Sequence, residues 1–206
     1  MRQQLVRLSA AAVVATVMLS ACSSSGNQAA TSSPSAGTAT GSPAPSAAQA
    51  HNSADITFAQ NMMPCHKQAI QMSDIILTKQ GIDPRVVQVA NQIKAAEDPD
   101  IQRMQSWLSQ WQQPTTPMMP SPTAGMPAMQ GMAGMMSPEQ ITALQNALGA
   151  DASKQFLTMM IQNHQHAIML AQSEISSGQY PPAVAMAHSI ATTEQQEVNT
   201  MQGLLG

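Results

Sequence analysis

Two copies of one spacing, Met-x-x-x-His, carry the residues most able to do chemistry: Met62 with His66 and Met160 with His164. Residues four apart share a helical face, so each copy sets a thioether beside an imidazole. If the two copies face each other, two sulfurs and two nitrogens gather from separate helices. Cys65 adds a thiol next to the first histidine, and His166 adds an imidazole two residues after the second. Thioether with imidazole suits copper, above all Cu(I), better than Mg²⁺, Ca²⁺ or Mn²⁺. Zinc sites more often use thiolates or several histidines. One Met–His pair alone would read as core packing, and its recurrence tips the reading toward a shared metal-ligand role.

A second group of sulfurs lies between the copies. Met126, Met129, Met132 and Met135 are spaced strictly by three, with Met118, Met119 and Met136 close by. A three-residue step drifts by about 60° on an α-helix, so this is not a helix face. It fits a polyproline-like strip with sulfurs along one edge, or a loop folding around an ion. The competing reading is a methionine-rich lid, since these flexible side chains fill irregular gaps. Elsewhere, Glu97/Asp100 and Glu194/Glu197 occupy equivalent positions. They could be outer partners of the histidines or an acid–base set, but by themselves they read as a solvated helix face. His188 has no counterpart and His51 lies outside the repeats, so both read as peripheral. The chain holds no nucleophile elbow, P-loop, dinucleotide fingerprint or His-Glu-x-x-His motif.

The elements that must position these groups repeat as well. Shifted by 98, Phe58, Met62, His66, Ala69 and Ile70 fall on Phe156, Met160, His164, Ala167 and Ile168. Shifted by 97, Gly81, Pro84, Val87, Ala90, Ile93, Glu97, Met104 and Leu108 fall on Gly178, Pro181, Val184, Ala187, Ile190, Glu194, Met201 and Leu205. Each half reads as a helical hairpin. Asp55 caps a helix to about Lys79, and Asp83-Pro84 opens one to about Trp111. Asp151 starts a helix ending near Ser177, and Pro181-Pro182 opens the last. Val86, Val89, Ala90, Ile93, Ile101, Met104 and Leu108 trace one apolar helical face. Pro64 and Pro99 should kink the first two helices. Strand signals are nearly absent, so the expected fold is all-α: an antiparallel four-helix bundle from two duplicated hairpins, 55–111 and 151–206. A Met/Pro-rich linker, 112–136, and a short helix, 137–148, with Ser137 as cap and Gln140 as capping-box partner, lie between them.

Ahead of the repeats, Arg2, Arg7 and a short apolar run read as an export signal, 1–21, too short to span a bilayer. Leu19-Ser20-Ala21-Cys22 looks like a lipobox, which implies acylation of Cys22 and attachment to the outer face of the cell membrane. Residues 22–53, rich in Ser, Ala and Pro, read as a disordered tether. Of 206 residues only 9% are charged and 2% aromatic, with a net charge of −3, which leaves no footprint for nucleic acid. The 18 methionines are the compositional outlier.

The segments Phe58 to Met72 and Phe156 to Met169, with the tail Glu194 to Met201, resemble the DUF305 family, whose halves read F-x3-M-[MI]-x-H-H-x2-A-I-x-M and I-x3-Q-x2-E-I-x2-M. The resemblance implies a ferritin-like bundle, usually exported, with some members linked to copper. Here the family's double histidine is Cys65-His66 and Asn163-His164, and its glutamine is Glu97 and Glu194. These departures weaken a multi-histidine Cu(II) site and shift the expectation to Cu(I). The sequence therefore points to a lipid-anchored, copper-binding envelope protein that binds rather than catalyses. A metal-free helical interaction module is the alternative, and a copper-dependent redox enzyme a weaker one.

Overall fold

Asn52 caps the first described helix. Its side chain accepts from the N–H groups of Ala54 and Asp55 while the Asp55 carboxylate reaches back to the Asn52 N–H, a reciprocal capping box. Asp55 is therefore the third residue of the first helix, not its cap, and the folded region reaches into the segment read as tether. The computed structural model describes residues 50–116 and 134–206. The signal, Cys22 and Met126, Met129 and Met132 lie outside the described residues.

Among the described residues five helices follow in order: α1 Ser53–Leu77, α2 Pro84–Gln110, α3 Pro138–Asn146, α4 Gly149–Ser177 and α5 Pro181–Leu205. No strand occurs among the described residues, and none of their helices is long and apolar enough to cross a membrane. Asp83 caps α2 with Pro84 behind it, and Ser137 with Gln140 forms the capping box of α3. The helix read as starting at Asp151 begins two residues earlier, at Gly149, behind a Leu148 that supplies no side-chain cap. Gly81, at φ +72°, turns the chain between α1 and α2. Both α1 and α2 run on through Pro64 and Pro99.

The four long helices pair as α1 with α2 and α4 with α5, and α1 packs on α4 between the hairpins. The pseudo-twofold relation is visible at one contact. Cys65 Sγ donates to the Asn163 carbonyl at 3.7 Å, and Asn163 Nδ2 donates to the Cys65 carbonyl at 3.3 Å. These two residues are equivalent under the 98-residue shift, so the contact lies on the symmetry axis.

The apolar core is divided in two. One cluster joins Ala69, Met72 and Ile76 to Val86–Ile93, Phe156–Met160 and Val198–Met201, with α3 packed on it. The other joins Phe58–Cys65 to Met104–Leu108, Ala167, Ala171 and Ala183–Ile190. On α1 the break falls at His66, on α2 at Glu97, on α4 around His164 and on α5 at Glu194. A polar layer crosses the middle of the bundle.

Candidate metal centre

Each buried polar side chain of this layer occupies a place where the helical period demands an inward residue. On α2 the inward stripe runs Val86, Ala90, Ile93, Glu97, Ile101, Met104, Leu108, and on α5 it runs Ala183, Ala187, Ile190, Glu194, Val198, Met201. The two glutamates are each 4% exposed, His66 is 1% and His164 is 0%. This overturns the reading of Glu97 and Glu194 as a solvated face. The period was the signal that could have found them, because a glutamate sits in each stripe where its neighbours at −4 and +4 are buried apolar residues.

His66 Nδ1 lies 3.9 Å from Glu97 Oε1 and 3.9 Å from Glu194 Oε1, too far for hydrogen bonds. One donor atom from each of the three lies within 4.8 Å of the others. A point no more than about 2.8 Å from all three therefore exists, and a contraction of up to about 0.8 Å reaches the metal–ligand distances of a first-row ion. Among the described residues, neither ring nitrogen of His66, neither oxygen of Glu97, nor Glu194 Oε2 has a hydrogen-bond partner. Unpaired buried polar atoms are rare and costly. Their convergence on one point fits a cation.

The electrostatics agree. Burial, and then the charge of His164, lowers the His66 pKa to about 3, so the ring is neutral and its lone pair is open. Burial pushes the Glu97 carboxyl well above its ordinary range, helped by Glu194, Glu197 and Asp100. Glu194 is raised in the same way by burial, Glu197 and Asp100. Burial and the neighbouring carboxylates thus work against the ionised form of both glutamates, and a nearby positive charge would favour it.

His164 takes a different role from its repeat partner. Its Nε2 lies 2.9 Å from Glu197 Oε2, while Nδ1 has no hydrogen-bond partner. A ring N–H donated to a carboxylate fixes a histidine's orientation and leaves the other nitrogen as the donor atom. Glu197 thus does for His164 what the sequence allowed as an outer-partner role. Beside the layer, between α2 and α5, a cavity of about 180 Å³ is lined by His66, Glu97, Asp100, Glu194 and Glu197, with exposed Ala96, Ser189 and Thr193 at its rim.

The sulfur donors expected at this centre sit elsewhere. Met62 and Met160 are wholly buried, one in each apolar cluster, and neither lines the cavity. Cys65 packs with Phe58, Ala59, Met62 and Met63, and its thiol is pushed up by burial and by Glu194 and Glu97. His166 is buried beneath the end of the linker, where a Cβ on Gly134 would overlap its side chain. Two residues on, Met136 N–H donates to Gln68 Oε1 at 2.6 Å and its carbonyl accepts from Gln68 Nε2 at 2.9 Å. Gln68 and His166 are equivalent under the repeat, so the linker's last turn is seated across matching positions of α1 and α4. Met135 is half-buried there. His188 is exposed, as expected, whereas His51 stacks on Trp111 at 4.4 Å rather than lying idle.

Known structures share this architecture. A DUF305 fragment from Deinococcus radiodurans is 27% identical, covers 75% of this chain and 97% of its own, and superposes with a TM-score of 0.64. A DUF305 protein from Streptomyces coelicolor is 24% identical over 74% of this chain and 90% of its own, at 0.65. CopM in its Cu(II)-bound form is 24% identical over 73% and 95%, at 0.60, and is also known in Cu(I)- and Ag-bound forms. No curated protein matches the sequence. The model of a domain of unknown function, DUF305, matches residues 55–205, from the capping box of α1 to the end of α5, and the chain belongs to the DUF305 family.

Proposed function

We propose that this is a metal-binding protein of the cell envelope, with a copper ion held in the polar layer for buffering, tolerance or delivery rather than for catalysis. The observation that carries the reading is the convergence of unpartnered His66, Glu97 and Glu194 donors within 4.8 Å at the centre of an otherwise apolar bundle. Leaving such groups buried and unpaired costs several kcal/mol, and a cation offsets that cost. His164, oriented by Glu197, is the fourth candidate donor.

The donor set favours one oxidation state. One or two imidazoles with carboxylates suit divalent copper and its neighbours in the first row. A Cu(I) preference would draw on sulfur, and so would rest on the methionines at 126, 129, 132 and 135 rather than on the donors of the layer. CopM, bound to Cu(II), Cu(I) or Ag, makes copper the first metal to test, but the choice of ligands rests on this chain. Export and attachment through Cys22 follow from the signal and lipobox in the sequence.

Chelator competition on the mature chain with Cu(II), Cu(I) and Zn(II) tests the reading. Since outer-shell substitutions already cost about 10–100-fold in affinity, His66→Ala and Glu97→Gln should each weaken Cu(II) binding by roughly a hundredfold, while His188→Ala should leave it unchanged. Equal affinity in all four proteins would refute the layer as the site.

A further inference from the structure

We infer that the cavity between α2 and α5 holds two divalent cations, the second bound near the rim by Asp100 and Glu197 and bridged to the first by Glu97 and Glu194; this rests on the metal-binding reading above. Three features of the layer lead there. Each hairpin contributes the same half-site, one histidine, one buried glutamate and one outer carboxylate: His66, Glu97 and Asp100 from the first, His164, Glu194 and Glu197 from the second. A twofold-related pair of half-sites provides for two ions off the axis as readily as for one on it.

Charge is the second feature. Glu97, Glu194, Asp100 and Glu197 bring four carboxylates to one cavity. With all four ionised, one divalent ion and Arg103, whose charge acts on Asp100, leave one carboxylate uncompensated, and a second divalent ion supplies the balance. Third, the inner ion would use only part of the available oxygen. Both oxygens of Glu97 and Oε2 of Glu194 are buried without hydrogen-bond partners among the described residues, so each glutamate keeps an oxygen that a second ion could use. His66, 1% exposed with both nitrogens unpartnered, lines the same cavity. The space of about 180 Å³ is that of about six waters, enough for two ions and several water ligands. The inner ion would have nitrogen and oxygen donors and the rim ion oxygen alone, a set that disfavours Cu(I) and suits divalent ions.

Cu(II) itself is the probe, read by metal analysis and by electron paramagnetic resonance. Ions bridged at about 3.5–4 Å couple, so two equivalents of bound Cu(II) in the full mature chain should be missing from the integrated signal. Asp100→Asn with Glu197→Gln, both at half-buried positions, should lower the bound copper by one equivalent and restore the full signal of the remaining ion. A wild-type signal that accounts for all bound copper, with His66→Ala still abolishing one equivalent, would overturn the pair and leave the single site standing. No loss of Cu(II) in His66→Ala would overturn both.

Discussion

Glu174 closes one end of the bundle against Asp55, and the substitution Glu174→Gln isolates what that contact costs. Asp55 is solvent-inaccessible and accepts from the backbone N–H of Asn52 at 2.6 Å, Gln179 at 3.0 Å and Tyr180 at 2.8 Å. It thereby ties the start of α1 to the α4–α5 turn. Burial pushes the Asp55 carboxyl up, but Glu174 and these donors more than offset it, and the group stays ionised with a lowered pKa. Facing a carboxylate, Glu174 can bond only by donating its own proton. Burial first, then the bond to Asp55 and its charge, pushes Glu174 from 4.5 up to about 8. A group with a raised folded pKa stabilises the fold fully below its unfolded value, and that contribution is lost as pH rises through the folded one. For Glu174 the loss runs from about 4.5 to about 8. At pH 7 it amounts to at most about 3 kcal/mol. The adjoining surface cavity lined by Ser53, Thr57, Phe58 and Ser173 admits solvent, whose screening reduces the figure to roughly 1–2 kcal/mol. Glutamine donates an N–H to Asp55 with no proton to lose. Glu174→Gln should therefore melt roughly 2–8 °C above wild type at pH 7, and within about 2 °C of it at pH 5, where little of the penalty has developed. Thermal unfolding followed by circular dichroism from pH 5 to 8.5 reads this out. An advantage that does not grow with pH, or a variant less stable than wild type at pH 8, would refute the shared proton.

Met62→Ala should destabilise the fold by about 2–5 kcal/mol, as deletion of a wholly buried side chain does, yet leave Cu(II) affinity unchanged; chemical denaturation and chelator competition on the same sample separate packing from ligation. Cys65, buried with its thiol pushed up, should resist a disulfide reagent in the folded protein and react at once in denaturant, and a fast native reaction would contradict its placement. Cation binding must displace protons held by Glu97 and Glu194, so titration with Cu(II) in weak buffer should acidify the solution and affinity should fall as pH is lowered. At a hundred times the dissociation constant the metal should also stabilise the fold by about 2.7 kcal/mol, a gain that His66→Ala should abolish.

The helices were legible because their signals are local. Asp83-Pro84, Ser137 with Gln140 and the 97- and 98-residue shifts each state their structure within a few residues, and the helices fall within a few residues of the expected bounds. The cap of α1 was missed because Asn52 and Asp55 both suit the position, and only the reciprocal bonds decide between them. The repeat singled out His66 and His164, and both are buried at the layer, close enough for the charge of His164 to lower the His66 pKa. The partners were not legible. Met62 and Met160 share a helical face with the histidines, but a face four residues long spans more than one neighbour, and packing sends both sulfurs into the apolar clusters. Glu97 and Glu194 were discounted by residue type, although their place in the apolar stripe already contradicted a solvated role.

Duplication itself explains why the layer demands a cation or protons. When two copies of a hairpin pack about an axis, each inward residue is brought toward its own copy. For an apolar residue that is simply core, and Cys65 against Asn163 shows how close such pairs come. For a glutamate it places like charge against like, as with Glu97 and Glu194. Such a pair can be held neutral by protons, at the expense of stability as pH rises, or by a positive ion, at none. The histidines fit the second solution better. Protonated, they would have balanced the glutamates directly, but burial together with their mutual repulsion keeps His66 neutral with a pKa of about 3. On the metal-binding reading, the charge that balances the glutamates is supplied by a bound cation in place of the protons.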